Sequence, residues 1–293
     1  MSLLLQLLLN AAVNASLYAL LAVGFGIVYR SLRFFHLAFG ALYIVASYAT
    51  FAGVRLMGMP PALCLAFGLL ATIILSEAIN RGIYLPLERR GAQSGVLLIA
   101  SLGIYILTVN TIALIFGNEV KILSQGIEPS YALGTVVITR IQLMQFIIGW
   151  LCIAAFWLFT KTNILMKGIW AMGETPNLII VLGLPYELLR TLAFSLSSLF
   201  AGIASILVAM DIGITPYAGM QALLTGAIAV IVGGVDVFWG WILSAVILSL
   251  LQSIAVWQFS ARWNDLITFG LLIVTLIFRP QGLFSPKKRR EEF

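Results

Sequence analysis

The chain is divided into apolar runs about as long as a bilayer is thick, separated by short polar breaks, and few folds accept that pattern. A spanning helix needs about 20 mainly apolar residues, and helices and closed barrels are the structures that satisfy their own backbone inside hydrocarbon. By that measure nine stretches qualify: 3–29, 37–53, 61–79, 96–116, 143–160, 192–210, two halves of 221–259, and 263–278. The 221–259 region is split at Gly233, Gly234 and Asp236, because one uninterrupted helix there would overrun the bilayer. Hydrophobic residues make up 61% of the chain and charged ones 10%, against about 45–50% and 25% in soluble domains. The expected fold is all-α, a polytopic transmembrane helical bundle of about eight or nine spans, forming a single domain over 1–293. The opening run lacks a positive leading region and is too long for a signal-peptide core, so no cleavable signal is expected. Cys64 and Cys152 both fall in spans and read as small buried hydrophobes.

The 17 bases outnumber the 11 acids, but they lie in short connections rather than on one nucleic-acid-binding face. Their role is orientation, since cytoplasmic loops collect Lys and Arg. If the C-terminus is inside, Arg30, Arg33, Arg81, Arg89, Arg90, Lys161, Lys167, Arg190, Arg279 and the tail cations Lys287, Lys288, Arg289 and Arg290 are internal. Only Arg55, Lys121, Arg140 and Arg262 are then external. The expected topology is N-terminus outside, C-terminus cytoplasmic, with a basic tail over 280–293 attracted to anionic lipid. Residues 81–94 read as a cytoplasmic loop and 117–142 as an external cap.

The longest internal interruption, 161–190, is framed by Lys161, Lys167 and Arg190. Within it Thr175 and Pro176 read as N-cap and first helical residue. Gly183 takes the left-handed C-terminal position, and Pro185 blocks continuation. The seven residues between are a rod of about 10 Å, too short to be stable alone, and Asn177, Leu178, Ile179 and their neighbours are too apolar to face water on all sides. Such a peg either docks into a soluble partner or lies flat in the lipid interface. Glu174 adds a negative charge where a helix N-terminus favours one.

Much chemistry is absent from the sequence. No GxxxxGK[ST] loop occurs, and one histidine with two isolated cysteines makes no metal cluster. Carboxylates sit at span ends rather than mid-membrane, which gives little basis for a proton relay. The chain therefore reads as a non-enzyme whose energy source lies elsewhere. Asn10 and Asn14, one turn apart on the first span, either join helices or face a polar route. His36 beside Arg33 reads as a capping or interfacial group or a solute contact. The Ser- and Gly-rich faces of 37–53 and 192–210 allow close helix packing.

These residues carry a resemblance. NAAVNASLYALLAVGFGIVY in the first span, HLAFGALY at 36–43, GETPNLIIVLGLP at 173–185, LAFSLSSLFAGIASIL at 192–207, GAIAVIVGGVDVFWGWILSAVILSLLQ at 226–252 and LIFRPQGLF at 276–284 resemble the permeases of branched-chain amino acid ABC transporters, nearly end to end. The resemblance implies a permease of the bacterial inner membrane, paired with a second related permease in a heterodimer. It also implies two cytoplasmic ATPases that bind ATP-Mg, and an external binding protein that delivers a branched-chain or other amino acid. This chain itself would bind no cofactor. Gly173, Glu174, Thr175, Pro176, Asn177, Leu178, Ile179 and Gly183 would then contact the ATPases, and Gly233 and Gly234 would act as a hinge. Asn10, Asn14, His36, Phe39 and Gly40 are the candidate substrate-pathway residues. Here His36 and Phe39 stand where the family commonly has Asn and His. Two alternatives are the same machinery carrying urea, short amides or aromatic or organic acids, and a stand-alone secondary transporter or channel.

Overall fold

A computed structural model describes residues 2–123, 129–133, 136–173 and 183–285. The expected coupling helix at 176–182, with Glu174 and Thr175, lies outside the described residues, as does the basic tail beyond 285. All nine expected spans are helical. They are α1 (Ser2–Leu32), α2 (Phe39–Arg55), α3 (Pro61–Ile79), α5 (Ser94–Phe116), α6 (Arg140–Thr162), α8 (Tyr186–Asp211), α9 (Ala218–Gly233), α10 (Phe238–Gln258) and α11 (Asn264–Phe278). Among the described residues, six helices are long and apolar enough to cross a membrane, with α9 and α11 as shorter apolar helices.

Two connections differ from the sequence-based expectation. Residues 81–94 are mostly helix rather than loop: α3 runs through a π turn, Asn80–Tyr84, into α4 (Leu85–Arg89). Pro86 is tolerated because it falls in the first turn of α4, where its missing N–H costs little. The stretch 164–172, expected only as part of a loop, forms α7 (Ile164–Met172), capped where the Asn163 side chain accepts the Leu165 N–H at 2.9 Å. Within 117–142 there is a hairpin of β1 (Ser130–Leu133) and β2 (Val136–Thr139), with Ser130 opposite Thr139 and Leu133 opposite Val136. Its strand β2 leads straight into α6 through a capping box made by Thr139 and Gln142, which satisfies orphan N–H groups at the helix start.

α1 is the central post. Its apolar window is 83% buried, against 22% for those of α5 and α6, and it packs on α6, α8, α9 and α10. α5 and α6 instead show most of their apolar surface outward, the arrangement suited to lipid. Small residues bring the inner helices together. A Cβ on Gly40 of α2 would stand 2.6 Å from the Gly219 carbonyl oxygen of α9, so these helices cross backbone to backbone.

Contacts between segments distant in the chain mark the two ends of the bundle. The C-terminal segment returns to α9, where the Leu283 N–H donates to the Val232 carbonyl at 2.8 Å. Near the N-terminus the Gln6 carboxamide exchanges hydrogen bonds with the backbone of Val137 in the hairpin, both at 2.9 Å. One end therefore carries Arg33, Arg81, Arg89 and Arg190 and is termed the basic end. The hairpin end is the opposite one.

Candidate functional site

At the basic end three chain segments converge on the start of the undescribed stretch. Gly173 ends α7 against α1, and a Cβ there would lie 1.8 Å from the Arg30 carbonyl oxygen, so only glycine fits. Arg33 has a positive φ of 54°, the one such non-glycine residue among those described. That turn aims its side chain so that Nε donates to the Gly173 carbonyl at 3.1 Å and Nη2 to Asp236 at 2.8 Å. Asp236 is thus an ion-pair partner in the break between α9 and α10. The Arg30 guanidinium lies 4.3 Å from the Trp170 ring centroid. Trp170 in turn packs 5.5 Å from Trp241, whose indole N–H donates to the Gly234 carbonyl at 3.0 Å.

The break itself is where the glycines were placed. Gly233 ends α9, and Gly234 has φ 98°, a conformation that favours glycine. Gly282 of the closing FRPQGLF run, φ 94°, lies so close that a Cβ would come within 2.4 Å of Gly234 Cα. That run is therefore a structural wedge in the break, which accounts for its distinct sequence. Gly183 has φ 67°, the left-handed conformation expected of it, and α8 follows after Pro185.

A second group at this end was missed by sequence reasoning. Arg190 was expected as a loop cation, but it lies in α8 and is 1% exposed. Its Nε donates to Asn80 Oδ1 at 2.6 Å in the π turn, and Nη1 donates to the Glu88 carboxylate. The available signal was the polar trio Asn80, Glu88 and Arg190 at span boundaries, because a buried guanidinium requires paired partners. His36 lies beside this group, 1% exposed, with Nδ1 3.1 Å from the Tyr84 hydroxyl and edge-on contacts to Phe34, Tyr84 and Phe194. Burial pushes its pKa down to about 3, so the imidazole is neutral at physiological pH. Phe39 is fully buried against Phe25.

Towards the opposite end the bundle opens. A cavity of about 410 Å³ between α1, α2, α6, α8 and α9 is walled by Asn14, Tyr18, Tyr43, Gln145, Gln221 and Thr225 among others. That volume falls within the roughly 300–1,000 Å³ of small-molecule pockets. Asn14 is on this wall and Asn10 on that of a smaller neighbour. His36, Phe39 and Gly40 are on neither; they belong to the packed core. The structure thus separates the five residues into two groups. Among the described residues no group of His, Cys, Asp and Glu could hold a metal ion.

A bundle of apolar spans around a polar cavity, with a charged clamp at one end, defines a helical membrane permease. The family profile of the branched-chain amino acid transport system permease component matches residues 7–276, and the chain belongs to that family. It is 29% identical to the high-affinity branched-chain amino acid transport system permease protein BraD of Pseudomonas aeruginosa, over 96% of this chain and 95% of that protein. It is 26% identical to the corresponding LivH protein of Escherichia coli, over 96% and 95%. Among solved structures, PsaBC from Streptococcus pneumoniae in complex with Fab matches with a TM-score of 0.53 at 16% identity, covering 99% of this chain and 94% of that one. That likeness bears on fold alone.

Proposed function

We propose that this chain is the membrane-spanning permease subunit of an ATP-driven importer of a branched-chain or other amino acid. It pairs with a second, related permease. Two cytoplasmic ATPases engage the 173–183 segment, an external binding protein delivers the solute, and ATP-Mg is bound on the ATPases. The chain sits in the bacterial inner membrane with its N-terminus outside and its basic end, including the C-terminus, in the cytoplasm; the clustering of cations at that end supports this orientation.

The observation that carries the proposal is the Arg33 clamp. One side chain holds both Gly173, where the proposed docking segment begins, and Asp236 in the α9–α10 break. Movement imposed at 173–183 by the ATPases is thereby transmitted to the bundle at its glycine-rich break, and alternating access follows. The test uses Leu178→Glu or Ile179→Glu in the complex reconstituted with its partner subunits. Both variants insert normally but lose binding-protein-stimulated ATP hydrolysis. Unchanged stimulation means the segment lies in the lipid interface, and solute uptake by this chain alone down an ion gradient overturns the importer.

A further inference from the structure

The polar residues of the inner cavity are not scattered. Three cavities meet at Tyr18 of α1: the one of about 410 Å³, one of about 270 Å³ between α1, α9, α10 and α11, and one of about 140 Å³ walled by Asn10, Asn14, Gln252 and Asn264 among others. Where they meet, a chain of hydrogen bonds crosses from α1 to α11. The Tyr18 hydroxyl donates to Gln252 Oε1 at 2.6 Å, Gln252 Nε2 donates to Thr268 Oγ1 at 2.6 Å, and the Thr268 hydroxyl donates to the Asn264 carbonyl at 2.7 Å. Gln252 and Thr268 are 7% and 5% exposed.

Amides and hydroxyls inside a membrane protein are costly unless bonded, and packing alone would be served by Leu and Phe. Here they occupy the partition between cavities. Asn14, Gln221 and Thr225 line the rest of the polar wall, while Leu17, Leu21, Val208 and Ala222 make an apolar one. A wall with amide and hydroxyl groups and the Asp211 carboxylate on one side and aliphatic groups on the other suits a small zwitterion with an apolar side chain. Amide and hydroxyl dipoles bind its two charged groups, while Asp211 and Asp265, on the walls of the cavities of about 410 and 270 Å³, draw the ammonium in.

We infer that the Tyr18–Gln252 hydrogen bond is the partition across the solute path, and that these two side chains are its solute-contacting groups. The passing solute replaces their mutual bond: its ammonium donates to Gln252 Oε1, and its carboxylate accepts from the Tyr18 hydroxyl. In the state described here the bond is made and the cavities are separated by it. The inference rests on the importer reading above and adds the residues and the solute chemistry.

The experiment uses the complete complex in proteoliposomes, with partner permease, ATPases and binding protein. Tyr18→Phe removes one hydroxyl and Gln252→Leu one amide, both at nearly constant volume. Each variant moves about tenfold less solute per ATP hydrolysed, the scale of one lost hydrogen bond, while binding-protein-stimulated ATP turnover stays within about twofold of wild type. Wild-type solute per ATP in both variants overturns the inference, and so does a parallel collapse of ATP turnover, which marks a purely structural role. An independent readout places cysteine at Asn14 with Cys64 and Cys152 replaced by alanine. A membrane-impermeant methanethiosulfonate added outside labels that thiol, and saturating solute slows the labelling; labelling indifferent to solute overturns the inference. If instead the wild-type complex shows no binding-protein-stimulated ATP turnover, the importer reading itself fails.

Discussion

The two ends of the bundle are built from different materials. At the basic end contact is made backbone to backbone and through charge: Gly173 on the Arg30 carbonyl, Gly282 on Gly234, Arg33 on Asp236, Arg190 on Glu88. At the opposite end, beside the Gly40–Gly219 crossing, amides and hydroxyls surround open volume through Tyr18, Gln252 and Thr268, with Asp211 and Asp265 on the cavity walls. Close backbone contact is rigid because interiors are packed without slack, so force applied there is passed on rather than absorbed. Neutral hydrogen bonds around a cavity are individually weak and exchangeable. In the importer proposed above, the difference is a division of labour, with one end transmitting movement and the other letting solute by.

Three substitutions probe the contrast at its rigid end. The largest effect is expected from Gly173→Val, whose Cβ would sit 1.8 Å from a backbone oxygen. A fixed carbonyl cannot step aside, so the loss of stability exceeds about 4 kcal/mol, read as the melting temperature of the detergent-solubilised protein. Gly103→Val, with nothing within 4 Å, changes it by less than about 0.5 kcal/mol; equal effects would erase the contrast. Next comes Glu88→Gln, which strands Arg190 in the interior and costs about 3 kcal/mol. Adding Arg190→Met restores most of that, since the buried charge is gone, and the double variant is compared by the same melt. Of the three basic-end substitutions, the smallest effect on stability belongs to Arg33→Ala. Its ion pair with Asp236 is 43% and 42% exposed, so the melt shifts by at most about 1 kcal/mol, as it does when the exposed Arg89–Glu187 pair is broken. Transport per ATP nonetheless falls on the order of tenfold, because the link between Gly173 and the α9–α10 break is lost. A fall no greater than that for Arg89→Ala would remove the clamp from the coupling route.

Much of this was legible in the sequence because lipid imposes a simple rule on span length, and the nine apolar runs and the break at Gly233–Gly234 follow from it. What was hidden depends on partners far away in the chain. Arg190 looks like any boundary cation until Asn80 and Glu88 are brought to it from the other side of α5, α6 and α7. The π turn at Asn80–Tyr84 leaves no compositional mark, and Pro86 reads as a helix stop unless the helix restarts around it. In the hairpin Val136 and Ile138 are buried and Val137 faces out, but all three are apolar, so this alternation leaves no period of two in the sequence, and four residues per strand are too few to stand out from a polar loop. Of the candidate pathway residues, Asn10 and Asn14 face cavities because their helix turns that side inward. His36, Phe39 and Gly40 carried the same polar or small-residue signal and are instead packed against Tyr84, Phe25 and Gly219.

The wedge formed by Gly282 and Leu283 also sets an order of biogenesis. The gap between α9 and α10 is filled by residues that leave the ribosome some fifty positions later, after α11 has been threaded into the bilayer. Until then Gly233, Gly234 and Gly240 lack the segment that closes over them, so the break is completed last.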